Sequence, residues 1–350
     1  MRYSLFYRCG WINKMLGCKH FLGYGFALIT FFGCAAHHPA LDTYEQTYLK
    51  EYESIKSHYQ YDAPTYKWIQ PNNKKESCKI YVGLDSSSDK TLWPDYALYW
   101  DGDCKEGFAY GLGREIETSE YDVIEQIGFY EQGRAKEYCA FNDLSSGMSE
   151  EGECVYENDK AAYLTTTRVQ EQEGDFEVLL DSGVGMSATT PAMFSRVYIF
   201  HNIVEYWKMY PNFSYVIVDY TGNASDERAY EFYMQDHQSG QKNGYAFVSY
   251  KSGETVSREM VQGKPNQDVT LWDGYYKKVE GIVDEIRRHA TKAMQAQKKA
   301  VALKTEYLRK ICNDDVNVDF MDNDDYKAIC AREYELGAKV NAKLSQMKER

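Results

Sequence analysis

The chain has little proline, a deficit of cations and no apolar run long enough to cross a bilayer. Only 7 of its 350 residues are Pro, and 40 Lys and Arg stand against 53 Asp and Glu, which gives a formal net charge of −13. A general nucleic-acid binder needs a cationic face for phosphate, so no nucleic-acid partner is predicted. The 27% of charged and 43% of hydrophobic residues are typical of globular proteins and exclude wholesale disorder.

Aromatic residues are abundant instead. The sequence contains 32 Tyr, 15 Phe and 6 Trp. Aromatic side chains are enriched in β-strands, whereas Pro is rare in the interior of strands. A sequence with many aromatic residues and little Pro therefore predicts a β-rich protein with a partly exposed aromatic surface.

Residues 1–33 have the order of an export signal. Residues 1–20 carry basic side chains and no acid, and a 13-residue apolar run follows from Phe21 to Gly33. A membrane-spanning helix needs about 20 residues, whereas a signal-peptide core needs roughly 7–15. A secretory signal is therefore predicted; a plain signal peptide cut nearby, or an uncleaved anchor, is the alternative.

The end of this run resembles the lipobox of bacterial lipoproteins. It reads Phe31-Phe32-Gly33-Cys34, with a small residue before the cysteine and Phe31 in place of the usual Leu. The resemblance implies that Cys34 becomes the mature N-terminus and carries acyl chains such as palmitate, which hold the protein on a lipid bilayer. Ala35 is not Asp, so the resemblance further implies the outer membrane of a Gram-negative cell, on its periplasmic or its outer face.

The cysteines support export. Removing Cys9 and Cys18 of the signal and the lipidated Cys34 from nine leaves six, an even number that suits disulfides in an exported chain. Neighbours in sequence are expected to pair, each bond contributing about 3 kcal/mol: Cys78 with Cys104, Cys139 with Cys154, and Cys312 with Cys330. Free thiols in a cytosolic protein are the alternative, and no metal site is predicted because no Cys-x-x-Cys spacing occurs.

A glycine pattern follows Trp100. Glycines at +2, +7, +11 and +13 from this ring have the register of a MORN repeat, a β-hairpin module: Gly102, Gly107, Gly111 and Gly113. In such a module glycine permits positive φ in the turn and close approach of neighbouring hairpins, while aromatics fill the gaps. Weaker copies begin at Gly128 and Gly152. Gly128 lies 26 residues after Gly102, and Gly152 lies 24 residues after Gly128.

A separate copy follows Tyr233. Gly240 and Gly244 stand at +7 and +11 from that ring, so the resemblance extends to about 233–263. It implies a scaffold or binding surface. Ordinary antiparallel hairpins with turn glycines are the alternative.

The region between these copies is interpreted as mixed α/β. Pro191 to Tyr210 is predicted to be a helix with His201 toward the core, and Tyr215 to Tyr220 a buried strand. The order helix, strand, and loop with Asp226 and Arg228 resembles faintly an OmpA-like domain, which would imply peptidoglycan binding.

The C-terminus predicts amphipathic helices. Apolar or small residues step by three and four over Val279, Ile282, Ile286, His289, Ala293, Ala296, Ala300, Leu303 and Tyr307. A second helix is expected from about Tyr326, so that a Cys312–Cys330 bond would fasten a helical hairpin; one continuous helical tail is the alternative.

The fold class expected from these patterns is α+β, with MORN-like antiparallel β-hairpins, a mixed α/β segment and a C-terminal helical hairpin. The predicted segments are 1–33, a lipoprotein signal peptide; 34–70, a tether with a short helix at Tyr44–Tyr59; 71–175, MORN-like hairpins; 176–275, mixed α/β with a further hairpin; and 276–350, the helical hairpin.

No motif of catalysis, cofactor binding or metal binding is found in the sequence. No His-Glu-x-x-His, Gly-x-Ser-x-Gly or phosphate-loop spacing occurs, and the acidic loop 313–325 has Phe320 where a calcium loop needs Gly. The sequence thus predicts a non-enzymatic, membrane-anchored lipoprotein that acts as a scaffold and binds another envelope protein. A periplasmic hydrolase with an unidentified carboxylate site, or a peptidoglycan-binding lipoprotein, is the alternative.

Overall fold

A computed structural model describes residues 43–59, 65–84, 90–154, 163–172, 175–184 and 193–313. All of them belong to one compact unit, Pro39–Arg350. The signal segment with Cys34, the acidic loop after Asn313, the second helix expected from Tyr326, and Cys330 lie outside the described residues.

The described part contains two helices, α1 (Thr43–His58) and α2 (Asp273–Asn313), together with 17 strands and one short 3-10 turn (Lys90–Leu92). The strands are β1 (Thr65–Ile69), β2 (Ile80–Leu84), β3 (Ala97–Trp100), β4 (Asp103–Lys105), β5 (Phe108–Thr118), β6 (Val123–Glu131), β7 (Arg134–Asp143), β8 (Met148–Glu153), β9 (Tyr163–Gln172), β10 (Asp175–Val184), β11 (Met193–Phe200), β12 (Ile203–Met209), β13 (Phe213–Asp219), β14 (Arg228–Asp236), β15 (Lys242–Tyr250), β16 (Thr255–Val261) and β17 (Lys264–Asp268).

Fifteen of these strands form one antiparallel sheet in sequence order. From β5 to β17 each strand pairs with the next along the chain, while β3 and β4 both pair with β5. Three of the hairpins turn through two residues with positive φ, a backbone that matches the twist of the strands: Glu106-Gly107, Gln132-Gly133 and Gln262-Gly263. The expected α+β class is confirmed.

Helix α2 covers one face of this sheet. At 1.5 Å per residue its 41 residues span about 60 Å, and it contacts every strand from β5 to β12. Its first half buries Tyr275, Val279 and Ile286 against valines, leucines and aromatics of β9–β15. Ala290, Ala293, Ala296 and Ala300 continue the buried stripe and let the helix approach the strands closely. The predicted amphipathic helix is therefore confirmed.

Helix α1 packs on the same core. Its Tyr48 ring stacks on Phe213 with centroids 5.1 Å apart, and the Tyr48 hydroxyl accepts a hydrogen bond from Asn243 at 2.9 Å. The buried carboxylate of Glu45 accepts from the Tyr215 hydroxyl and the Lys278 ammonium of α2. The sequence prediction of a helix over Tyr44–Tyr59 is confirmed to within two residues.

A separate two-stranded sheet, β1–β2, forms a second core on the other side. Ile80 and Val82 of β2 pack with Leu98, Trp100 and Tyr130 of the large sheet, and all five are at most 2% exposed. The small sheet therefore covers one end of the large sheet, on the face opposite to α2.

The helix predicted for Pro191–Tyr210 is wrong. The described part of this segment forms a hairpin of β11 and β12, which turns at His201 and Asn202. His201 is exposed in that turn with φ 49°, and not a core residue. Val197, Ile199, Val204 and Tyr206 are buried and alternate with half-buried residues on either side of the turn. Several of those half-buried residues are themselves aromatic or apolar, so the sequence shows no clear period of two and a helical period fits it as well. The helix needed for the OmpA-like resemblance is therefore absent from the described part of this segment.

Both edges of the large sheet are protected. On the β3 edge the side-chain amides of Asn72 and Asn73 replace a strand: their Oδ1 atoms accept from the backbone N–H of Leu98 and Trp100 at 3.1 Å. On the other edge β17 is short, fully exposed and contains Pro265. These features disfavour the addition of a further strand at either edge.

Candidate functional site

Two of the predicted repeat glycines lie against a buried tryptophan. The Trp100 ring has no exposed surface, and its Nε1 donates to the Asp103 carbonyl at 2.9 Å. A Cβ on Gly102 would lie 2.3 Å from this ring, and one on Gly113 would lie 2.5 Å from it. Gly107 and Gly111 instead have φ of 86° and 82°, which L side chains rarely adopt.

The other glycines predicted to repeat have different positions. Gly128 and Gly152 lie within strands, and cross-strand pairing puts them in one row with Gly113 and Cys139. Gly102 lies in the loop before β4, so it is not equivalent to them in the sheet. Gly240 and Gly244 have φ of 68° and 81°; the first is in the β14–β15 turn and the second is buried in β15.

Two of the three expected disulfides are present. Cys78 is bonded to Cys104 with Cα atoms 5.3 Å apart, and Cys139 to Cys154 with Cα atoms 5.4 Å apart. Each bond ties the hairpins around Trp100, because Cys78 belongs to the second core and Cys104 and Cys154 pack against it. The third pair, Cys312–Cys330, includes a residue outside the described part.

Two carboxylates, one buried and one half-buried, lie next to the same core. Glu115 and Glu117 are two apart in β5 and therefore share a face of the sheet. The Tyr130 hydroxyl donates to Glu115 at 2.5 Å, and Lys90 pairs with Glu117 at 2.6 Å. Burial, assisted by the neighbouring Glu117 charge, raises the pKa of Glu115 to about 8, although the Tyr130 hydrogen bond and Lys90 oppose the rise.

This pair has the raised pKa that a general acid would need, but not the access. Glu115 is only 6% exposed, and it is enclosed on the side of the sheet where the second core packs. A catalytic carboxyl must come within hydrogen-bond reach of its substrate. The arrangement therefore supports a structural role for Glu115 in the folded protein.

We expect Glu115→Gln to remove a pH dependence of stability. Because the pKa of Glu115 is higher in the folded than in the unfolded chain, folding binds the proton, and the free energy of unfolding falls as pH rises from about 4.5 to 8. The amide stays neutral, so at pH 8 the variant should gain on the order of 3 kcal/mol over the wild type. Urea unfolding measured from pH 5 to 8 checks this, with the exposed Glu254→Gln as the matched control. Parallel pH profiles of wild type and Glu115→Gln would contradict it.

The second half of α2 meets the sheet through polar groups. Arg114 is 1% exposed and bridges Asp101 at 3.2 Å and Glu125 at 3.1 Å. The Tyr307 hydroxyl of α2 donates to Asp101 and its ring faces the Arg114 guanidinium. This network fixes where the end of the helix sits on β5.

A second buried ion pair lies one turn earlier on the helix. The Lys304 ammonium lies 3.3 Å from a carboxylate oxygen of Glu151 in β8, and the side chains are 7% and 11% exposed. Gln297 donates to the other oxygen of Glu151 at 3.2 Å. Sequence analysis missed both helix residues and assigned the seam to Leu303, which is only half-buried.

The large sheet carries a second mixture of rings and charges on the side away from α2. Two adjacent cross-strand rows make up this surface: Tyr198–Glu205–Val218–Glu231 and Arg196–Trp207–Val216–Tyr233. We call these rows, with Tyr220, Arg228 and Lys242 beside them, the tyrosine face. Its apolar cluster draws all its members from β12–β14 and Tyr220.

Charges on the tyrosine face hold the rings in place. Glu231 accepts from Lys242, from the Tyr220 hydroxyl at 3.1 Å and from Arg228 at 3.2 Å. The Lys242 ammonium lies 3.9 Å from the centroid of Tyr233, and the Arg228 guanidinium 4.0 Å from that of Tyr220. Each cation thus covers one aromatic face; Tyr233 is half-buried and Tyr220 is 8% exposed.

Glu205 is the poorly solvated acid of the tyrosine face. Burial raises its pKa and the nearby Glu231 adds to the rise, while the hydrogen bond from Trp207 Nε1 at 2.8 Å opposes it. By contrast, the Arg228 hydrogen bonds lower the pKa of Asp226 to about 2. The Asp226–Arg228 pair named in the sequence is therefore satisfied within itself.

Three serine–histidine hydrogen bonds occur among the described residues. One joins the neighbours Ser57 and His58 at 2.8 Å at the exposed end of α1, and the other two join residues that are far apart in the chain. Ser214 bonds His237 at 2.6 Å, and Ser195 bonds His289 at 2.8 Å. Both hydroxyl-bearing residues are buried, at 0% and 3% exposed, so neither is open to a substrate. His289 is held on the apolar side of α2 as expected, and burial lowers its pKa. The partners are 23 and 94 residues apart, which is why no local motif indicated them.

One shallow cavity of about 40 Å³ is lined by Ala246, Phe247, Val248, Tyr250, Val256 and Arg258. Small-molecule sites usually have about 300–1,000 Å³. Within the described ranges no cluster of His, Cys, Asp and Glu could hold a metal ion, and no helix combines the length and apolar character needed to cross a membrane.

Comparison with models of known protein families gives no match, and comparison with curated proteins gives none either.

Proposed function

We propose that the protein is an exported, non-enzymatic scaffold that is anchored to a bacterial envelope membrane through Cys34 and binds another envelope protein through the tyrosine face. The observation that carries the binding role is the tyrosine face itself. Tyr, Trp and Arg are the side chains enriched at the centres of protein interfaces, and here they are fixed in place before a partner arrives. A preorganised surface loses less side-chain entropy on binding.

The disulfides support the proposed location. Cys78–Cys104 and Cys139–Cys154 persist only in an oxidising compartment such as the periplasm or the cell surface. The lipobox-like end at Cys34 supplies the proposed anchor, and Ala35 the proposed outer-membrane address.

The hairpins of β4–β8 are proposed to be MORN-like modules. The packing of Trp100 on Gly102 and Gly113 supports this, because the glycines leave room for the ring as such a module requires. The unequal positions of Gly102 and Gly128 limit the likeness to the first copy. In this proposal the hairpins are the rigid base that presents the large sheet.

The alternatives have weaker support. A hydrolase would need an open carboxylate, and Glu115 is enclosed. Peptidoglycan binding would use Asp226 and Arg228, and these two already bond one another at 2.8 Å. A protein that binds the tyrosine face requires neither an exposed Glu115 nor a broken Asp226–Arg228 ion pair.

Photo-crosslinking in the native envelope tests the proposal. A benzophenone amino acid at Tyr198, on the tyrosine face, is expected to capture one protein, whereas the same probe at Arg288, exposed on α2, captures none. Trp207→Ala should weaken the capture at Tyr198 at least tenfold, since removal of a central interface aromatic costs about 2 kcal/mol or more. Mass spectrometry of the same sample should find an acylated Cys34 at the N-terminus.

The two halves of the proposal fail separately. An unmodified Cys34 would remove the anchor. Equal capture at Tyr198 and Arg288, or none at Tyr198, would remove the binding face.

A further inference from the structure

A second exposed aromatic surface lies near the turns of the hairpins, apart from the tyrosine face. Trp68 of β1 and Phe129 of β6 are 41% and 42% exposed, which is unusual for such large apolar side chains. Trp68 contacts Tyr81 and Phe108 with ring centroids 4.8 Å and 5.0 Å apart, and Phe129 lies 6.1 Å from Tyr110. Phe108 and Tyr110 are two apart in β5 and join the two groups on one face.

Two cations lie on these rings. The Arg134 guanidinium is 3.9 Å from the centroid of Tyr81, and the Lys105 ammonium is 4.7 Å from that of Tyr110. We call the five rings and these two cations the hairpin-end patch. Lys136, opposite Phe129 in the sheet, adds a third cation at its border.

The charge of the patch contrasts with that of the chain. The whole sequence carries a net charge of −13, yet neither Arg134 nor Lys105 forms an ion pair with a carboxylate in the described part of the chain. Three acids lie nearby: Glu106 is exposed in the β4–β5 turn, Asp103 is exposed opposite Tyr110 in the same hairpin, and Glu131 lies 4.0 Å from Lys136. The cations are thus available to an anion that approaches the rings.

We propose that the hairpin-end patch binds the surface of an anionic phospholipid bilayer. Trp, Tyr and Phe beside Lys and Arg are the side chains that settle at the boundary of headgroups and acyl chains, where rings meet the apolar side and cations meet phosphate. Cationic side chains near an anionic leaflet are attracted only within about a Debye length, so the contact requires the patch itself to touch the membrane.

Ring orientation favours this partner over a sugar chain. Neighbouring rings in the patch are inclined by 48°, 63° and 66°. A sugar platform needs coplanar exposed faces, and here Arg134 and Lys105 already occupy two of the faces. The patch presents edges and charged ends instead, which suits insertion among headgroups.

This inference rests on the proposed function, because it assumes that Cys34 anchors the protein to a membrane. It adds a proposed orientation of the folded part relative to that membrane. An anchor alone would leave the folded part free to tumble on its tether. A second contact through the hairpin-end patch would hold the β1–β2 side of the fold toward the lipid.

Site-specific photolabelling of the full-length protein in vesicles tests the patch. A diazirine amino acid replaces Phe129 in one sample and Tyr121 in another; Tyr121 is 70% exposed at the β5–β6 turn, the opposite end of the same strands. In vesicles of phosphatidylcholine and phosphatidylglycerol at 3:1, lipid adducts at 129 should exceed those at 121 at least tenfold. Lys105→Ser with Arg134→Ser should lower labelling at 129 at least fivefold, as should pure phosphatidylcholine.

Three results would overturn the inference. The first is equal lipid labelling at positions 129 and 121. The second is labelling at 129 that does not change when the two cations are replaced or the anionic lipid is omitted. The third is preferential capture of glycan when isolated cell-wall sacculi are added. The ratio between positions 129 and 121 compares two sites in the same chain. It therefore stays valid even if Cys34 proves unmodified, and its failure is distinct from failure of the anchor.

Discussion

Lys304→Met is expected to lower the free energy of unfolding by about 3–5 kcal/mol, because it leaves the Glu151 carboxylate buried without its cation. The two groups lie 3.3 Å apart where α2 crosses β8. Gln297 would remain as a neutral donor to Glu151 and cannot replace the lost charge. Urea unfolding followed by tryptophan fluorescence measures the loss.

Matched variants separate charge from packing. The double variant Lys304→Met with Glu151→Gln should recover most of the loss, since no buried charge is left. Lys298→Met, on the exposed side of the same helix, should stay within about 0.5 kcal/mol of the wild type. If Lys304→Met were as mild as Lys298→Met, the ion pair would not hold the helix to the sheet.

Trp100→Ala is expected to cost about 3–5 kcal/mol, as for other large aromatics removed from a core. The ring is fully buried between Gly102, Gly113 and Tyr130, so its removal leaves a cavity lined by groups that β-sheet pairing holds apart. The loss is measured by the same urea unfolding at constant pH.

Gly102→Ala provides the complementary test. In the wild type its methyl group would collide with the Trp100 ring and should cost about 1–3 kcal/mol. In the Trp100→Ala background the three nearest neighbours of that methyl group, all of them ring atoms of Trp100, are gone, so the same change should cost less than about 0.5 kcal/mol. A cost that is equal in both backgrounds would show that glycine serves the backbone here and not the ring.

Local signals were sufficient for several elements. The step of three and four predicted α2, and the apolar run around Tyr215 predicted β13; both elements are present. Pairing of neighbouring cysteines predicted three disulfides, and the two that lie within the described residues are present. The segment Pro191–Tyr210 was mistaken because its apolar residues fit both helical and strand periods. The turn at His201 and Asn202, in which His201 has a left-handed backbone conformation, distinguishes the hairpin from a helix.

The candidate sites depend on register, which no local pattern provides. Glu205 and Glu231 become neighbours across β13 only once three strands are aligned. Lys304 is 153 residues from Glu151 in the sequence. A search for heptads of apolar residues assigns lysine to the exposed side of a helix, so it does not find this ion pair. Glu115 and Glu117 could have been found, because two acids spaced by two in a strand share a face and repel one another.

The position of α2 in the chain has a consequence for how the protein is made. Strands β5–β17 can each add to the strand just completed, so the sheet grows in the order of synthesis. The helix that covers β5–β12 comes after all of them. A chain that stops before Asp273 would possess every strand and still expose Val178, Val197 and Ile199 to water. Completion of the C-terminal helix is therefore the step at which the apolar face of an aggregation-prone intermediate is covered.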